Sequence, residues 1–152
     1  MAFKLHRGKT KIILLEKDTT EQLRDGSLVT FNLDSGQVVT VGNDSDDKIV
    51  GVCRRNDTLA DSTFVPIEVP VESAVEWLID ADSDGNGADS DIGKIVNVDT
   101  TGGNSVNAGD SAGMRVDISD SAAGSILVLR RVGTTQIIGS IVNTVWHQTF
   151  DT

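Results

Sequence analysis

Short runs of β-branched and other apolar residues, roughly five to seven positions long, alternate along the chain with clusters of Gly, Asp, Asn and Ser. This rhythm predicts strands joined by turns and leaves no room for a long amphipathic helix. Strands are expected at Lys11–Leu15, Ser27–Leu33, Gln37–Val41, Lys48–Arg54, Phe64–Val69, Ala74–Ile79, Lys94–Val98, Met114–Ile118, Ser125–Arg131 and Gln136–Trp146. Asp34-Ser35-Gly36 reads as a tight hairpin because glycine supplies the positive φ such turns use, and Val132-Gly133-Thr134-Thr135 reads as a second. Period-two alternation from Ser27 to Leu33 places Val29, Phe31 and the edge of Leu33 on one face, and Trp77 alternates with Val75 and Ile79 on a core face. Helical turns are confined to Thr19–Asp25 and Asp120–Gly124, where capping residues precede helix-tolerant ones. The expected fold is all-β, a small β-barrel or β-sandwich (β-tulip-like) with little helix.

The chain has 152 residues, the size of one domain with one core. Its 38% hydrophobic content with only 2 Pro fits a folded domain rather than a disordered one. No apolar run approaches the roughly 20 residues that cross a bilayer, and Met1 to Lys11 carries charges where a secretory leader would be apolar. Neither a membrane nor Sec export is therefore expected. A single cysteine, Cys53, rules out an internal disulfide.

Charge divides the chain in a way that composition alone hides. Lys4, Arg7, Lys9, Lys11 and Lys17 against Glu16 give residues 1–17 a charge of +4, which leaves −14 for residues 18–152 within the total of −10. So acidic a body repels phosphate backbones, and direct nucleic-acid binding is not expected. Residues 1–17 are read as an extended basic arm and 18–152 as a single β-rich domain. Lys11-Ile12-Ile13-Leu14-Leu15 is apolar, strand-prone and flanked by positive charge. It is either a clamp that adds to another sheet's edge, steered by its charges toward an acidic surface, or simply the first strand of the domain.

Metal chemistry has one candidate. Asp80-Ala81-Asp82-Ser83-Asp84-Gly85-Asn86 has the alternating carboxylate spacing with which calcium loops converge oxygens on a hard cation, and Asp91 falls at the twelfth position. Gly87 stands where such loops place an apolar anchor and neither flank reads as a helix, so the simpler reading is a solvated acidic loop. Calcium ligation by Asp80, Asp82, Asp84, Asn86 and Asp91 is the alternative, and no other cofactor is expected. His6 and His147 lack partners that would make a base, Cys53 reads as a small buried residue, and Thr101-Gly102-Gly103-Asn104 lacks the Lys-Ser/Thr ending of a phosphate-binding loop. No catalytic residues, and no enzyme, are expected. Two Trp and no Tyr supply a stacking surface for sugars thinly.

Asp25-Gly26-Ser27-Leu28-Val29, the hairpin Asp34-Ser35-Gly36-Gln37-Val38, Ile49-Val50-Gly51-Val52 and Asp91-Ile92-Gly93-Lys94-Ile95-Val96 together resemble, in style and order over about residues 25–135, the head decoration (cement) proteins of tailed bacteriophages. The resemblance implies a non-enzymatic structural protein, made in the host cytoplasm, that binds the capsid exterior as a homotrimer and stabilises the lattice. Its partner would be the major capsid protein, reached through Lys4, Arg7, Lys9, Lys11, Ile12, Ile13, Leu14 and Leu15. The competing expectation is a phage tail, fibre or adhesion module that binds a glycan or surface protein, with calcium in the acidic loop.

Overall fold

The structure, a computed structural model, describes residues 3–19, 21–41, 48–57, 62–72, 75–81, 91–99, 115–118, 124–133 and 135–145. Within them the chain forms β1 (Phe3–Arg7), β2 (Thr10–Glu16), β3 (Leu28–Phe31), β4 (Val38–Thr40), β5 (Gly51–Cys53) and β6 (Phe64–Pro70). The second half contributes β7 (Glu76–Asp80), β8 (Ile95–Asp99), β9 (Arg115–Asp117), β10 (Ile126–Val132) and β11 (Gln136–Ile141). One sheet has the order β1-β7-β11-β10-β8-β9 and the other β2-β6-β5-β3-β4, with antiparallel pairing between neighbours in both. The molecule is all-β and sandwich-like. Both sheets curl, since single parallel bridges bring Lys17, just past β2, to Val38 of β4, and Ala81, just past β7, to Val116 of β9. Neither sheet closes into a barrel.

Every strand expected from the pattern has a counterpart, although several are shorter. β3 stops at Phe31, and Leu33 leaves the strand for the hairpin turn, where it is 94% exposed instead of joining Val29 and Phe31. The last strand ends at Ile141, because the chain beyond it turns to bridge Ile49 through Thr144. Both expected hairpins are present, β3 with β4 through a positive-φ Gly36 and β10 with β11 through a positive-φ Gly133. No helix forms in the described part of Thr19–Asp25, while residues 119–123 of the other expected turn lie outside the described residues.

β1 was not anticipated. Its alternation is short, with Phe3 and Leu5 packed on the first core and Lys4 and His6 outside. The segment read as an arm is thus the place where the two sheets meet: Phe3–Arg7 borders one sheet and Thr10–Glu16 borders the other. Between them Gly8 turns the chain at φ 108°, where a side chain would be strained and its Cβ would press on Val75 and Glu72. Of the two readings of Lys11–Leu15, the structure holds it as a strand of the domain, paired with β6 from Thr10↔Pro70 to Glu16↔Phe64.

Two apolar clusters result. The larger fills the space between the sheets, with Trp77, Ile79, Val96, Val98, Ile126, Val128 and Ile137 from the first sheet against Leu28 and Val52 of the second. The smaller lies on the other face of the curled second sheet and joins Val29, Val38, Cys53, Val65, Ile67 and Val69 to Ile13, Leu15 and Phe31. The second sheet is therefore buried on both faces at its centre. Gly51 is the point of tightest approach there, since a Cβ at that position would run into the Glu68 carbonyl and the Ile67 side chain. Gly51→Ala is expected to cost about 1–3 kcal/mol of stability through overpacking, read as a lower urea midpoint with an unchanged slope.

Candidate binding surface

The sheet face that covers the main core does not end where the core ends. Ile12, Glu68, Val52 and Leu28 are successive register partners across β2, β6, β5 and β3, so their side chains share one face. Along that row Leu28 and Val52 are fully buried and Glu68 is nearly so, while Ile12 is 54% exposed. The first sheet stops short, and the second overhangs it. The next pairs on the overhang are Leu14 with Pro66 and Glu16 with Phe64, and Leu14 and Phe64 are both more than half exposed. Lys4, His6, Arg7, Lys9 and Lys11 are exposed along the adjoining chain, with Lys11 on the face of β2 opposite Ile12 and Leu14, so the bare apolar strip of this acidic protein lies in its most basic segment.

Polar contacts hold this ribbon at both ends. At the start, Arg54 Nη1 donates to the Phe3 carbonyl at 2.7 Å and its Nε to Glu68 Oε1 at 2.6 Å, with the guanidinium 5.7 Å from the centre of the Trp77 ring. Glu68 Oε2 accepts from the Thr10 hydroxyl at 2.6 Å, which couples β2 to the same pair. The Lys9 amide donates to Glu72 Oε1 at 2.8 Å, and Arg7 lies 3.8 Å from Glu76. Arg7, Gly8, Glu72 and Glu76 line a cleft of about 550 Å³ together with Leu127, Leu129 and Ser140.

At the far end Lys17 is completely buried. Its ammonium lies 3.3 Å from Asp57 Oδ1 and donates to the Glu21 carbonyl at 3.1 Å. Asp57 Oδ2 accepts from Arg55 Nη2 at 2.8 Å and from the Thr63 hydroxyl at 3.2 Å. Burial pushes the Asp57 carboxyl up, but the hydrogen bonds from Arg55 and Lys17 and the Lys17 charge outweigh it and hold the group below its ordinary range. Cys53, under the second sheet, is displaced the other way. Burial is the main cause, and the thiol is pushed up to about 11 while its Sγ donates to the Arg55 carbonyl.

The expected contact residues are thus divided by the pleat. Lys4, Arg7, Lys9, Lys11, Ile12 and Leu14 are exposed, whereas Ile13 and Leu15 pack into the smaller core, on the same face of β2 as Lys11 and opposite Ile12 and Leu14. Pro66 and Phe64 belong to the surface although nothing in their own segment separates an inward from an outward apolar residue. Glu68 carried a usable signal, being the one charged position in Phe64-Val65-Pro66-Ile67-Glu68-Val69-Pro70. Of the calcium candidates, Asp80 accepts from Gln136 Nε2 at 3.2 Å, and Asp91 is buried with its Oδ1 2.9 Å from the Lys94 ammonium. Asp82, Asp84 and Asn86 lie outside the described residues, among which no three His, Cys, Asp or Glu side chains converge. Trp77 is fully buried and offers no stacking surface, and Trp146 and His147 lie outside the described residues.

No family model matches the chain, and no curated protein or solved structure shows significant similarity to it.

Two titrations follow from the buried groups. With its folded pKa lowered, Asp57 contributes stability that is present above about pH 4 and lost as pH falls through the folded value. Urea midpoints between pH 7 and pH 2.5 should therefore drop steeply at the acid end, and Asp57→Asn should flatten that drop while lowering stability at neutral pH. Cys53 has the opposite sign, so its share of stability is intact below pH 9 and lost as pH rises toward about 11. At pH 8 the folded protein should resist iodoacetamide while the urea-unfolded protein is alkylated within minutes, as read by intact mass.

Proposed function

We propose that this chain is a non-enzymatic structural protein that docks on the exterior of an assembled lattice, as head decoration proteins, whose style and order of strand and turn motifs it shares, do on viral capsids. The observation that carries the reading is the overhang of the second sheet, where Ile12, Leu14 and Phe64 lie bare in the segment of the chain that also exposes Lys4, Arg7, Lys9 and Lys11. Isolated exposed apolar residues are ordinary on a protein surface, but a row of them on a paired, clamped ribbon is a ready-made contact patch. Covering one such side chain completely contributes about 1.5–3 kcal/mol, less in proportion to the area already buried. One copy would then bind weakly. On a repeating lattice, weak contacts made by many neighbouring copies suffice.

Charge selects the partner's chemistry. The basic segment favours an acidic outer surface such as that of a capsid subunit, and steers encounter at low salt without adding much final affinity. The proposed site of action is the virion exterior, with the major capsid protein as partner.

The test is co-sedimentation of the purified protein with DNA-free heads of the virus that encodes it. Binding should weaken at least tenfold in the double variant Ile12→Asp, Leu14→Asp, whose positions are exposed enough to leave the fold intact. Lys9→Glu with Lys11→Glu should slow association and reduce its salt dependence. Heads that pellet without the wild-type protein at low salt would overturn the proposal.

A further inference from the structure

The cleft of about 550 Å³ beside Gly8 opens on the face of the first sheet that is turned away from the main core. Glu76, Leu127 and Ser140 each alternate with core residues of β7, β10 and β11, so their side chains stand on that outer face, and Leu127 is the register partner of Ser140. A volume of this order is that of a small-ligand site.

Two β-bulges shape the cleft. Phe3 and Leu5 face the core, and strict alternation would send Arg7 after them. The extra residue between Leu5 and Arg7 turns Arg7 outward instead, opposite Glu76. A second bulge, between Val128 and Arg130, leaves Leu129 without a register partner, 37% exposed in the cleft lining.

The hydrogen-bonding capacity of the lining is one-sided. The Glu76 side chain is 27% exposed, and among the described residues its carboxylate accepts no hydrogen bond; Arg7 Nε is 3.8 Å away, on a side chain that is 81% exposed. Glu72 uses Oε1 for the Lys9 amide at 2.8 Å and keeps Oε2. The Ser140 hydroxyl gives its proton to the Val75 carbonyl at 2.9 Å, so toward the cleft it accepts. The lining therefore offers three acceptors and two leucines, with Arg7 as its only uncommitted side-chain donor. A largely buried carboxylate without a donor has lost hydration and gained no bond in exchange.

We propose that this cleft binds an aliphatic primary ammonium group, with the ammonium at Glu76, Glu72 and Ser140 and its methylene chain along Leu127 and Leu129. An ammonium brings three N–H donors and no acceptor, which complements this lining. An anion would meet two carboxylates with only the exposed Arg7 to hold it, and a neutral apolar ligand would leave Glu76 as unsatisfied as before. The Arg7–Glu76 contact is long and solvated, so it yields readily to a better donor. The ammonium belongs either to a free polyamine or to a lysine side chain of a partner protein, and the recognising chemistry is the same. The proposal goes beyond the docking reading and is independent of it, since Ile12, Leu14 and Phe64 take no part in the cleft.

The test is an NMR titration of the full chain, methyl-labelled at leucine, with n-butylammonium chloride. Saturable shifts of the Leu127 and Leu129 methyls are expected in roughly the millimolar range, because so small a ligand has little surface to bury. 1-Butanol, of the same length but uncharged, should leave them nearly unmoved. Glu76→Gln keeps the shape and removes the charge, and should weaken binding about tenfold without changing the urea midpoint. Arg7→Ala should tighten binding severalfold, because it removes the competing cation; a merely structural role for Arg7 would not produce that gain.

Two further ligands separate the sources. Spermidine binding about tenfold or more tighter than Nα-acetyl-lysine methylamide assigns the cleft to a free polyamine, and a smaller difference assigns it to a lysine side chain of a protein. No saturable shift with butylammonium, equal shifts with 1-butanol, indifference to Glu76→Gln or weaker binding in Arg7→Ala would each overturn the proposal. None of these results bears on co-sedimentation with heads, so the docking reading stands or falls separately.

Discussion

The Arg54 guanidinium stands where the two sheets part, and the first strand of each sheet is tied to it. It donates to the Phe3 carbonyl in β1, lies over Trp77 in β7 and pairs with Glu68 in β6, whose other oxygen takes the Thr10 hydroxyl of β2. Glu68 is almost wholly buried, and a carboxylate in that position is tolerable only because the cation and the hydroxyl occupy its lone pairs. Removing Arg54 would leave the buried Glu68 carboxylate without its cation, whereas the guanidinium also has Asp25 Oδ1 at 3.5 Å. The pair acts less as a source of net stability than as a device that fixes one arrangement of the two sheet edges.

That constraint accounts for the shape of the surface. The face that runs from Leu28 through Val52 is covered as far as Glu68, where Arg54 ends the apolar interface, and the same face continues onto β2 without a cover. The far end is held by the wholly buried Lys17 and by Asp57, whose carboxylate also takes Arg55 and Thr63. Between these two polar anchors β2 is paired along its whole length with β6 and lies at the edge of its sheet, a position from which outward side chains can meet another molecule. Alternation then divides the work within one stretch: Ile13 and Leu15 build the small core while Ile12 and Leu14 remain for contact.

Much of the architecture was written locally. β-branched runs and Gly, Asp, Asn and Ser clusters marked ten of the eleven strands among the described residues, both hairpins, and the burial of Trp77 and Cys53, because a period of two and a turn's φ requirement are properties of neighbouring residues. The excess of positive charge in residues 1–17 was equally plain. What the chain alone left open was decided by contacts distant in sequence. Whether Lys11–Leu15 was an arm or a strand depended on β6, some 50 residues on; β1 was hidden because its five residues become a strand only beside β7; and Leu33 looked like core until the turn carried it out. The site was least legible of all. An apolar residue in a strand reads the same whether the opposing sheet reaches it or stops short, and where the first sheet ends over the second is set by the packing of both around Arg54 and Glu68, not by any segment of either.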